Sequence, residues 1–537
     1  MTDLTSPSPS LPSSPERPLG ELALALSGGG YRAAAFHLGV LRFLQKVDLL
    51  DSVTALSTVS GGSIVGCAWT LSRMKGELFS AFDARFSSYL QKTNIIRDAL
   101  RNLKKRRKHG HRSKPSLIGS AAQLYAHPDF LGHHRFGELM KDPRFPFREV
   151  IFNTTEFDTG VDFRFRRSHN PKAEIGNGNL RLPRAIAEHV RLADIVAASS
   201  CFPGGFEPLQ FPEGFHWPQE FPLEQVCEAL PKGFTPPKSD RPSLPLMDGG
   251  VYDNQGVDAL LLAFNAVEPL PTLLISDVSA KQRPLYSFPK DSSPGWLTLR
   301  GVTWLGRGLF VTALVTLAVL FTHGWASVRD DGWQWDDYAL YLIPGLFSAG
   351  VAGALVWASM LLREVQGRVR EQFKVDNLWN DLRKLTVQEA VGLLELRATS
   401  LLALTSSVFM KRIRDLIQTG LFADSKYQGR RVDNLIYDLQ EAPKGLCEKY
   451  PWLRPTESLI RLSHQAEAYP TTLWLDDPGK DLDLLTRAGA ATLCFNLLKH
   501  LLEDRAAQVE TAGSPVQRLF QRLREEWETF NASVPLP

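Results

Sequence analysis

The chain has 537 residues, of which 44% are hydrophobic and 22% charged, and its formal net charge is +3. This length suffices for one large globular core with an appended element. The near-neutral charge provides no overall field that would favour nucleic acid as a partner. Five scattered cysteines without a CxxC pair favour a reducing cytoplasm over a disulfide framework or a zinc site.

The N-terminal residues 1–20 are rich in Ser and Pro and contain no apolar stretch. They therefore lack the hydrophobic region of a signal peptide, and we predict a disordered segment.

Two strand–turn–helix units open the folded part of the sequence. The apolar run that starts at Glu21 predicts a strand, which ends in a glycine turn at 28–30 and is followed by a helix over 31–47. The second unit repeats this plan with a strand over 53–59, a turn at 60–62 and a helix over 64–74. Strands alternating with helices predict an α/β sandwich with a mostly parallel sheet. Further strands are predicted at 150–154, 161–166 and 272–275.

Ser60 lies between the second strand and its helix, and Gly61 and Gly62 follow it. This arrangement is typical of a nucleophile elbow, in which a sharp turn exposes the serine hydroxyl and small neighbours admit a substrate carbonyl. The following helix offers its positive dipole end to developing negative charge. The alternative is an ordinary glycine loop.

The turn at Gly28, Gly29 and Gly30 is a candidate oxyanion hole, because consecutive glycines can direct backbone N–H groups at one point. Arg32 could brace this loop or bind a phosphate. A dinucleotide-binding turn would need G-x-G-x-x-G, but the sixth position is Ala33.

Asp248, followed by Gly249 and Gly250, is the candidate general base. A serine nucleophile needs a base, and a carboxylate can serve if a partly dry site raises its pKa towards the working range. The alternative is an Asp-Gly turn without a chemical role. Three histidines could lie near the site, but we expect each to be a surface or core residue: His37, His189 and His216.

Together, the GGGxR turn, the serine elbow about thirty residues later and the DGG loop resemble the patatin-like phospholipases. The blocks FNTTEFDTG (152–160), ASSCFPGGFEP (198–208) and the stretch 484–502 resemble further parts of that family. The similarity covers roughly 22–280 and resumes, more faintly, over about 399–502. Two positions depart from the family pattern. Thr58 replaces a glycine and could narrow the approach to the elbow, and Ala33 replaces the glycine after the arginine.

The resemblance implies a three-layer patatin-like sandwich and a Ser–Asp dyad without histidine. Ser60 matches the nucleophile and Asp248 the base, while Gly28–Gly30 and Arg32 match the oxyanion loop. Gly61, Gly62, Gly249 and Gly250 would support the elbow and the loop. No residue cluster implies a metal or an organic cofactor.

Two long uncharged runs predict a transmembrane hairpin. About 21 residues separate Arg307 from Arg329, and about 25 separate Asp337 from Arg363, each near the roughly 20 residues that span a bilayer. The connecting loop is acidic and the outer flanks are rich in arginine, so both long soluble parts should face the cytoplasm. The alternative is a pair of buried core helices.

The basic run at 104–108 is either a solvated loop or, beside a membrane anchor, a contact for anionic lipid headgroups. No aromatic residues are interleaved with it, which argues against nucleic acid.

The sequence thus predicts a multi-pass membrane protein that cleaves fatty-acyl esters of membrane phospholipids or lysophospholipids. Two alternatives remain, a lipid acyltransferase and an inactive membrane scaffold with a hydrolase fold. The predicted domains are 1–20 (disordered), 21–284 (catalytic, first part), 300–370 (hairpin), 375–510 (catalytic, second part) and 511–537 (C-terminal tail).

Overall fold

The computed structural model describes residues 17–108, 116–142, 145–221, 223–229, 243–265, 269–281, 296–332, 335, 338–373, 384–404 and 408–532. The chain divides into two compact units. The α/β unit comprises Met1–Leu285 and Leu404–Pro537, and the helical unit comprises Tyr286–Ala403. Residues 1–16 of the predicted disordered segment and the side chains of the basic run at 104–108 lie outside what the structure describes.

The α/β unit contains one sheet of eight strands in the order β5-β6-β3-β2-β1-β7-β8, with β4 paired to β3. The strands β3, β2, β1, β7 and β8 run parallel, whereas β4, β5 and β6 are antiparallel to their partners. This confirms the predicted mostly parallel sheet. The strands are β1 Leu22–Leu26, β2 Val53–Val59, β3 Glu149–Glu156, β4 Val161–Ser168, β5 Leu209–Phe211, β6 Leu244–Asp248, β7 Thr272–Asp277 and β8 Arg431–Leu435.

The α-helices that precede the helical unit are α1 Gly30–Lys46, α2 Gly61–Met74, α3 Phe79–Lys92, α4 Ile95–Lys108, α5 Leu117–Tyr125, α6 Phe136–Lys141, α7 Arg184–Ala187, α8 Leu192–Ser200, α9 Leu223–Ala229, α10 Gly250–Asp253 and α11 Val257–Phe264. The helical unit contains α12 Leu299–Asp331, a π-helical turn at Tyr338–Leu342, α13 Ile343–Phe373 and α14 Val387–Ala403. The α/β unit then resumes with α15 Phe409–Ala423, α16 Lys444–Lys449, α17 Glu457–Ala468, α18 Pro478–Asp504, α19 Ala506–Glu510 and α20 Pro515–Ala532. Short 3₁₀ turns lie at Leu50–Ser52, Ser425–Tyr427, Asp438–Gln440 and Pro451–Leu453.

The sheet is buried on both faces, which explains its nearly continuous apolar strands. Because side chains alternate along a strand, Leu24 of β1 faces the large core shared with α1, α2 and α18, whereas Ala23 and Ala25 face a smaller core beneath α11. Helices on both faces of one sheet make the predicted three-layer sandwich.

Helix α18 packs closely against α1 through two glycines. A Cβ at Gly39 would lie 2.0 Å from the Thr486 carbonyl oxygen, and one at Gly489 would lie 2.1 Å from that of Phe36. Only glycine allows backbones this close. The residues immediately before α18 are thereby held beside the start of α1. Farther on, α20 lies within the segment assigned to a C-terminal tail, and it buries Leu519, Leu523 and Trp527.

In the helical unit, α12 and α13 are antiparallel. A Cβ at Gly324 would lie 3.2 Å from Tyr341 Cβ, and one at Gly345 would lie 3.9 Å from Leu317 Cδ1. By length and composition, Leu299–Asp330 and Tyr338–Glu364 could each cross a membrane. In the described part of the chain, 6% and 11% of their most apolar windows are buried.

Candidate active site

Ser60 occupies the turn between β2 and α2 with φ 50° and ψ −117°. A positive φ is uncommon for a residue other than glycine and stores backbone strain. The turn places the serine at the carboxyl end of a central strand, as in a nucleophile elbow. Ser60 is 7% exposed, so its side chain is buried except where it meets the cavity described below.

The elbow is stabilised by Ser199 at the end of α8. The Ser60 N–H donates to Ser199 Oγ at 3.0 Å, and Ser199 Oγ donates to the Asn153 carbonyl at 2.7 Å. Ser63 Oγ lies 2.8 Å from Ser199 Oγ and completes this support. Sequence analysis did not identify Ser199, although it lies in the ASSCFPGGFEP block.

The two glycines after Ser60 allow the two strand–helix turns to touch. A Cβ at Gly61 would lie 2.1 Å from the Gly30 carbonyl oxygen, and one at Gly62 would lie 2.3 Å from that of Leu26. Gly61 and Gly62 are therefore required by close packing.

Strand β3 brings Asp248 beside Ser60. Its residue Asn153 pairs with Val59, which immediately precedes Ser60, and its next residue Thr154 pairs with Asp248. Gly249 also packs closely against β3, because a Cβ there would lie 2.4 Å from the Asn153 carbonyl oxygen. The serine turn and the Asp248 loop are distant in the sequence, but each lies beside one of two adjacent residues of β3.

The Asp248 carboxylate is buried and only partly satisfied. Oδ1 accepts the Gly250 N–H at 2.8 Å, whereas Oδ2 has no hydrogen-bond partner among the described residues. Burial raises the pKa of Asp248 to about 6, against the opposing effects of the nearby Ser60 hydroxyl and the Gly250 N–H. Ser60 thus lies near enough to affect this carboxyl without forming a hydrogen bond of normal geometry to Oδ2. Such contacts often tighten only when substrate binds.

The three glycines of the first turn are not equivalent. The Gly28 N–H donates to the Asn254 carbonyl at 2.9 Å. The amides of Gly29 and Gly30 have no acceptor among the described residues. Their φ angles of 141° and 59° favour glycine. The amides available to an oxyanion are therefore those of Gly29 and Gly30.

Arg32 is 8% exposed, and its Nη1 donates to the carbonyls of Glu467 and Tyr469 at 3.1 and 2.8 Å. These contacts fit the predicted bracing role better than phosphate binding. The adjacent Thr472 carbonyl accepts the Tyr31 N–H at 2.7 Å, so the segment before α18 is tied to the glycine turn.

A cavity of about 790 Å³ brings the candidate residues together. Ser60, Asp248 and the glycine turn lie on its wall with Arg32 and Asn254. Its large apolar lining residues are Ile96, Phe202, Phe206, Met410, Leu473 and Trp474. The predicted supporting glycines are not among the lining residues: Gly61, Gly62, Gly249 and Gly250.

Two residues considered in the sequence lie away from the cavity. Thr58 is fully buried, its Oγ1 lies 2.9 Å from Ser63 Oγ, and its methyl group lies against Gly66, so it does not narrow the approach to the elbow. His37 is also fully buried, with Nε2 donating to the Ser27 carbonyl at 3.0 Å, and burial lowers its pKa to about 4. It is a neutral core histidine. In the described part of the chain, no group of three metal-binding side chains is arranged around one point.

The sequence profile of the patatin-like phospholipases matches residues 24–261. This stretch contains the glycine turn, the serine elbow and the Asp248 loop. The chain therefore carries a phospholipase-type hydrolase domain. This domain, residues 24–261, belongs to the patatin-like phospholipase family.

Several solved structures share weaker similarity. Human GIVD cytosolic phospholipase A2 is 16% identical, with 49% of this chain and 46% of that chain covered and a TM-score of 0.31. VipD from Legionella pneumophila is 9% identical, with 93% of both chains covered and a TM-score of 0.23. ExoU from Pseudomonas aeruginosa, in complex with SpcU, is 13% identical, with 96% and 86% covered and a TM-score of 0.18.

The chain spans about half the length of the human phospholipase structure that it matches. At these TM-scores, the family assignment rests on the sequence profile alone. No curated protein sequence matches the chain.

Proposed function

We propose that the protein is a membrane-anchored serine acyl hydrolase of the phospholipase A or lysophospholipase type, with Ser60 as nucleophile and Asp248 as general base. One observation carries this proposal: the strained turn of Ser60 lies on the same cavity wall as Asp248 Oδ2, which has no hydrogen-bond partner among the described residues. A buried carboxylate oxygen without a partner is costly, and such a group is expected where a proton must be accepted.

In the proposed reaction, Ser60 Oγ attacks the acyl carbonyl carbon while its proton passes to Asp248. The Gly29 and Gly30 amides stabilise the oxyanion that forms. When the ester C–O bond breaks, the protonated Asp248 returns the proton to the leaving alcohol. Water then attacks the acyl-enzyme with Asp248 again as base, which releases the fatty acid and regenerates the Ser60 hydroxyl.

The raised pKa of Asp248 suits this chemistry. A general base works best when its pKa lies near the operating pH, and a value of about 6 leaves most of the carboxyl ionised at neutral pH. An ordinary aspartate would accept the serine proton less readily. The apolar lining of the cavity suits a fatty-acyl chain.

The test compares Ser60→Ala and Asp248→Asn with a matched control, Asp253→Asn. Asp253 is equally buried and burial raises its pKa to about 6 as well, but its oxygens accept the Gln255 and Asp258 N–H groups at 2.9 Å each. We expect both site variants to lose phospholipid hydrolysis, and only Ser60→Ala to lose labelling by a fluorophosphonate probe completely. Asp253→Asn should retain both.

Normal hydrolysis by Ser60→Ala, with labelling intact, would exclude the proposed nucleophile. Acyl transfer to added lysolipid, in place of fatty-acid release, would identify an acyltransferase that uses the same residues.

The membrane anchor is proposed to be the pair α12 and α13. Their apolar side chains are largely exposed, including Phe321 (69%), Phe347 (74%) and Trp357 (66%). So large an exposed apolar surface requires a covering layer, and two runs of spanning length fit a bilayer. An even number of crossings with arginine-rich flanks would leave both parts of the α/β unit on the cytoplasmic face.

Cysteine labelling tests this topology in intact cells. Cys227 is only partly buried while the other four cysteines are buried. The Cys227→Ser variant should therefore show little labelling by a thiol reagent. In that background, Asp330→Cys at the end of α12 should react with an impermeant thiol reagent. The exposed control Lys172→Cys should react only after permeabilisation. Labelling of both sites, or of neither, before permeabilisation would contradict the proposed anchor.

A further inference from the structure

The charged residues on the cavity wall are mainly cationic. Asp248 is the one carboxylate among its described lining residues, against four cations: Arg32, Lys281, Lys411 and Arg414. Hydrolysis of a neutral ester in an apolar cavity does not need this excess of positive charge. The cavity therefore favours a substrate with an anionic group.

Two of these cations are already engaged. Arg32 binds the backbone carbonyls of Glu467 and Tyr469. Lys281 forms an ion pair with Glu441. The other two cations of the wall are Lys411 and Arg414.

Lys411 and Arg414 lie on α15, three residues apart and therefore on the same helix face. Lys411 has no acidic partner among the described residues. Met410, also on the cavity wall, contributes apolar surface beside them. The face thus combines an ammonium that has no ion-pair partner in the described part of the chain with an adjacent guanidinium.

Arg414 is largely desolvated, with a side chain 11% exposed. Its two acidic neighbours are both distant: Asp277 Oδ2 lies 3.7 Å from Nη1 and Asp415 Oδ1 lies 4.0 Å from Nε. Nε has no hydrogen-bond partner among the described residues. Asp277 is itself shared, since its oxygens also accept from Gln255 and Ser279 at 2.8 Å. The guanidinium therefore retains donors for a further acceptor.

We propose that Lys411 and Arg414 bind the phosphate of the substrate, so that the enzyme prefers phospholipids to neutral glycerides. This inference rests on the proposed hydrolase function. A phosphate has strong acceptor oxygens that suit both an ammonium and a guanidinium fork, and such charge-assisted bonds are the stronger ones. A neutral glyceride offers only ester and hydroxyl oxygens, which leave these cations poorly compensated.

The kinetic test uses full-length protein in non-ionic detergent and two short-chain substrates of equal acyl length, a phosphatidylcholine and a diacylglycerol. Lys411→Met should lower the ratio of kcat/KM for phospholipid to that for diacylglycerol by about tenfold, the lower end for a charge-assisted contact, with the change mainly in KM. The matched control is Arg412→Met, because Arg412 is exposed on the same helix and does not line the cavity. Its ratio should stay within about twofold of wild type.

An equal loss on both substrates would make Lys411 a structural residue, and an unchanged ratio would exclude the subsite.

A binding measurement separates this inference from the proposed function. In Ser60→Ala protein, a short-chain diether phosphatidylcholine should bind more tightly than the diether glycerol, and Lys411→Met should remove the difference. If wild type hydrolyses neither ester but this preference persists, the hydrolase proposal fails while the phosphate subsite stands. Equal binding of both ether lipids would overturn the subsite.

Discussion

The turns after β1 and β2 have the same position between a strand and a helix, but they differ in which residue adopts a positive φ. Each leaves a central parallel strand and enters a helix at the same edge of the sheet, and the two turns touch through Gly61 and Gly30. The first contains glycine wherever φ is positive, so it presents backbone amides without strain. The second holds Ser60 at φ 50°. Strain is thus tolerated at the position where a side chain is needed and avoided where the backbone alone suffices.

The largest expected effect comes from making the second turn like the first. Ser60→Gly should lower turnover by at least about 10³-fold because it removes the proposed nucleophile. It should also relieve strain worth about 1–3 kcal/mol, offset by about 0.5–1 kcal/mol of added chain entropy in the unfolded state. Thermal unfolding of Ser60→Gly beside Ser60→Ala, which keeps the strain, measures the difference. A lower melting temperature for Ser60→Gly would show that the turn is not strained.

The reverse change places a side chain in the first turn. Gly29→Val puts a β-branched residue at φ 141°, where its Cβ would lie 2.6 Å from Val278 Cγ2. Misdirected amides should lower kcat by about 10²- to 10³-fold, with a smaller change in KM. The control is Gly76→Val, at φ 66° with nothing within 4 Å of its Cβ. Wild-type kcat in Gly29→Val would leave the glycine turn without a catalytic role.

The dependence of activity on pH tests Asp248 as the proposed general base for Ser60. If Asp248 is the general base, as we propose, it must be ionised to act. We then expect kcat/KM to fall about tenfold per pH unit below pH 6, and Asp253→Asn to leave this profile unchanged. The raised pKa has a cost in stability. Between the ordinary pKa of 3.8 and about 6, the folded chain keeps a proton that the unfolded chain releases, so stability falls as pH rises through that window. Asp248→Asn should therefore raise the melting temperature at pH 7 and not at pH 3.

The smallest effect is expected beneath the elbow. Thr58→Ala removes the hydroxyl that bonds Ser63, at a cost of about 1 kcal/mol in the free energy of unfolding. Because Thr58 does not line the cavity, hydrolysis should stay within about threefold of wild type. A tenfold gain in rate would mean instead that this side chain obstructs the substrate.

The sequence predicted the features that depend on local chemistry. Strand β2 has the predicted bounds, and β1 and both following helices differ by a few residues at most, because apolar periodicity and glycine punctuation act over short distances. Ser60, Asp248 and the glycine turn could be proposed for the same reason. Each of these motifs is recognised from the residues next to it in the sequence.

Features built from distant segments escaped prediction. Strands β5 and β8 have three and five residues, too few for a clear periodic signal in the sequence, and pairing with β6 and β7 defines them. Ser199 supports the elbow from 139 residues away, a contact without any local signal. Likewise, Lys411 and Arg414 look like ordinary helix-surface cations until the fold places α15 at the cavity.

The tie between the glycine turn and Thr472 also orders events during synthesis. The ribosome makes Ser60 early, but the wall that closes on Gly30 and binds Arg32 includes residues 467–472, which are translated after both apolar helices. At about 5–20 residues per second, the delay is on the order of 20–80 s. The nascent chain therefore cannot complete its cavity before α12 and α13 have left the ribosome. The proposed hydrolase site is therefore completed only after the two helices that we propose as the membrane anchor have been made.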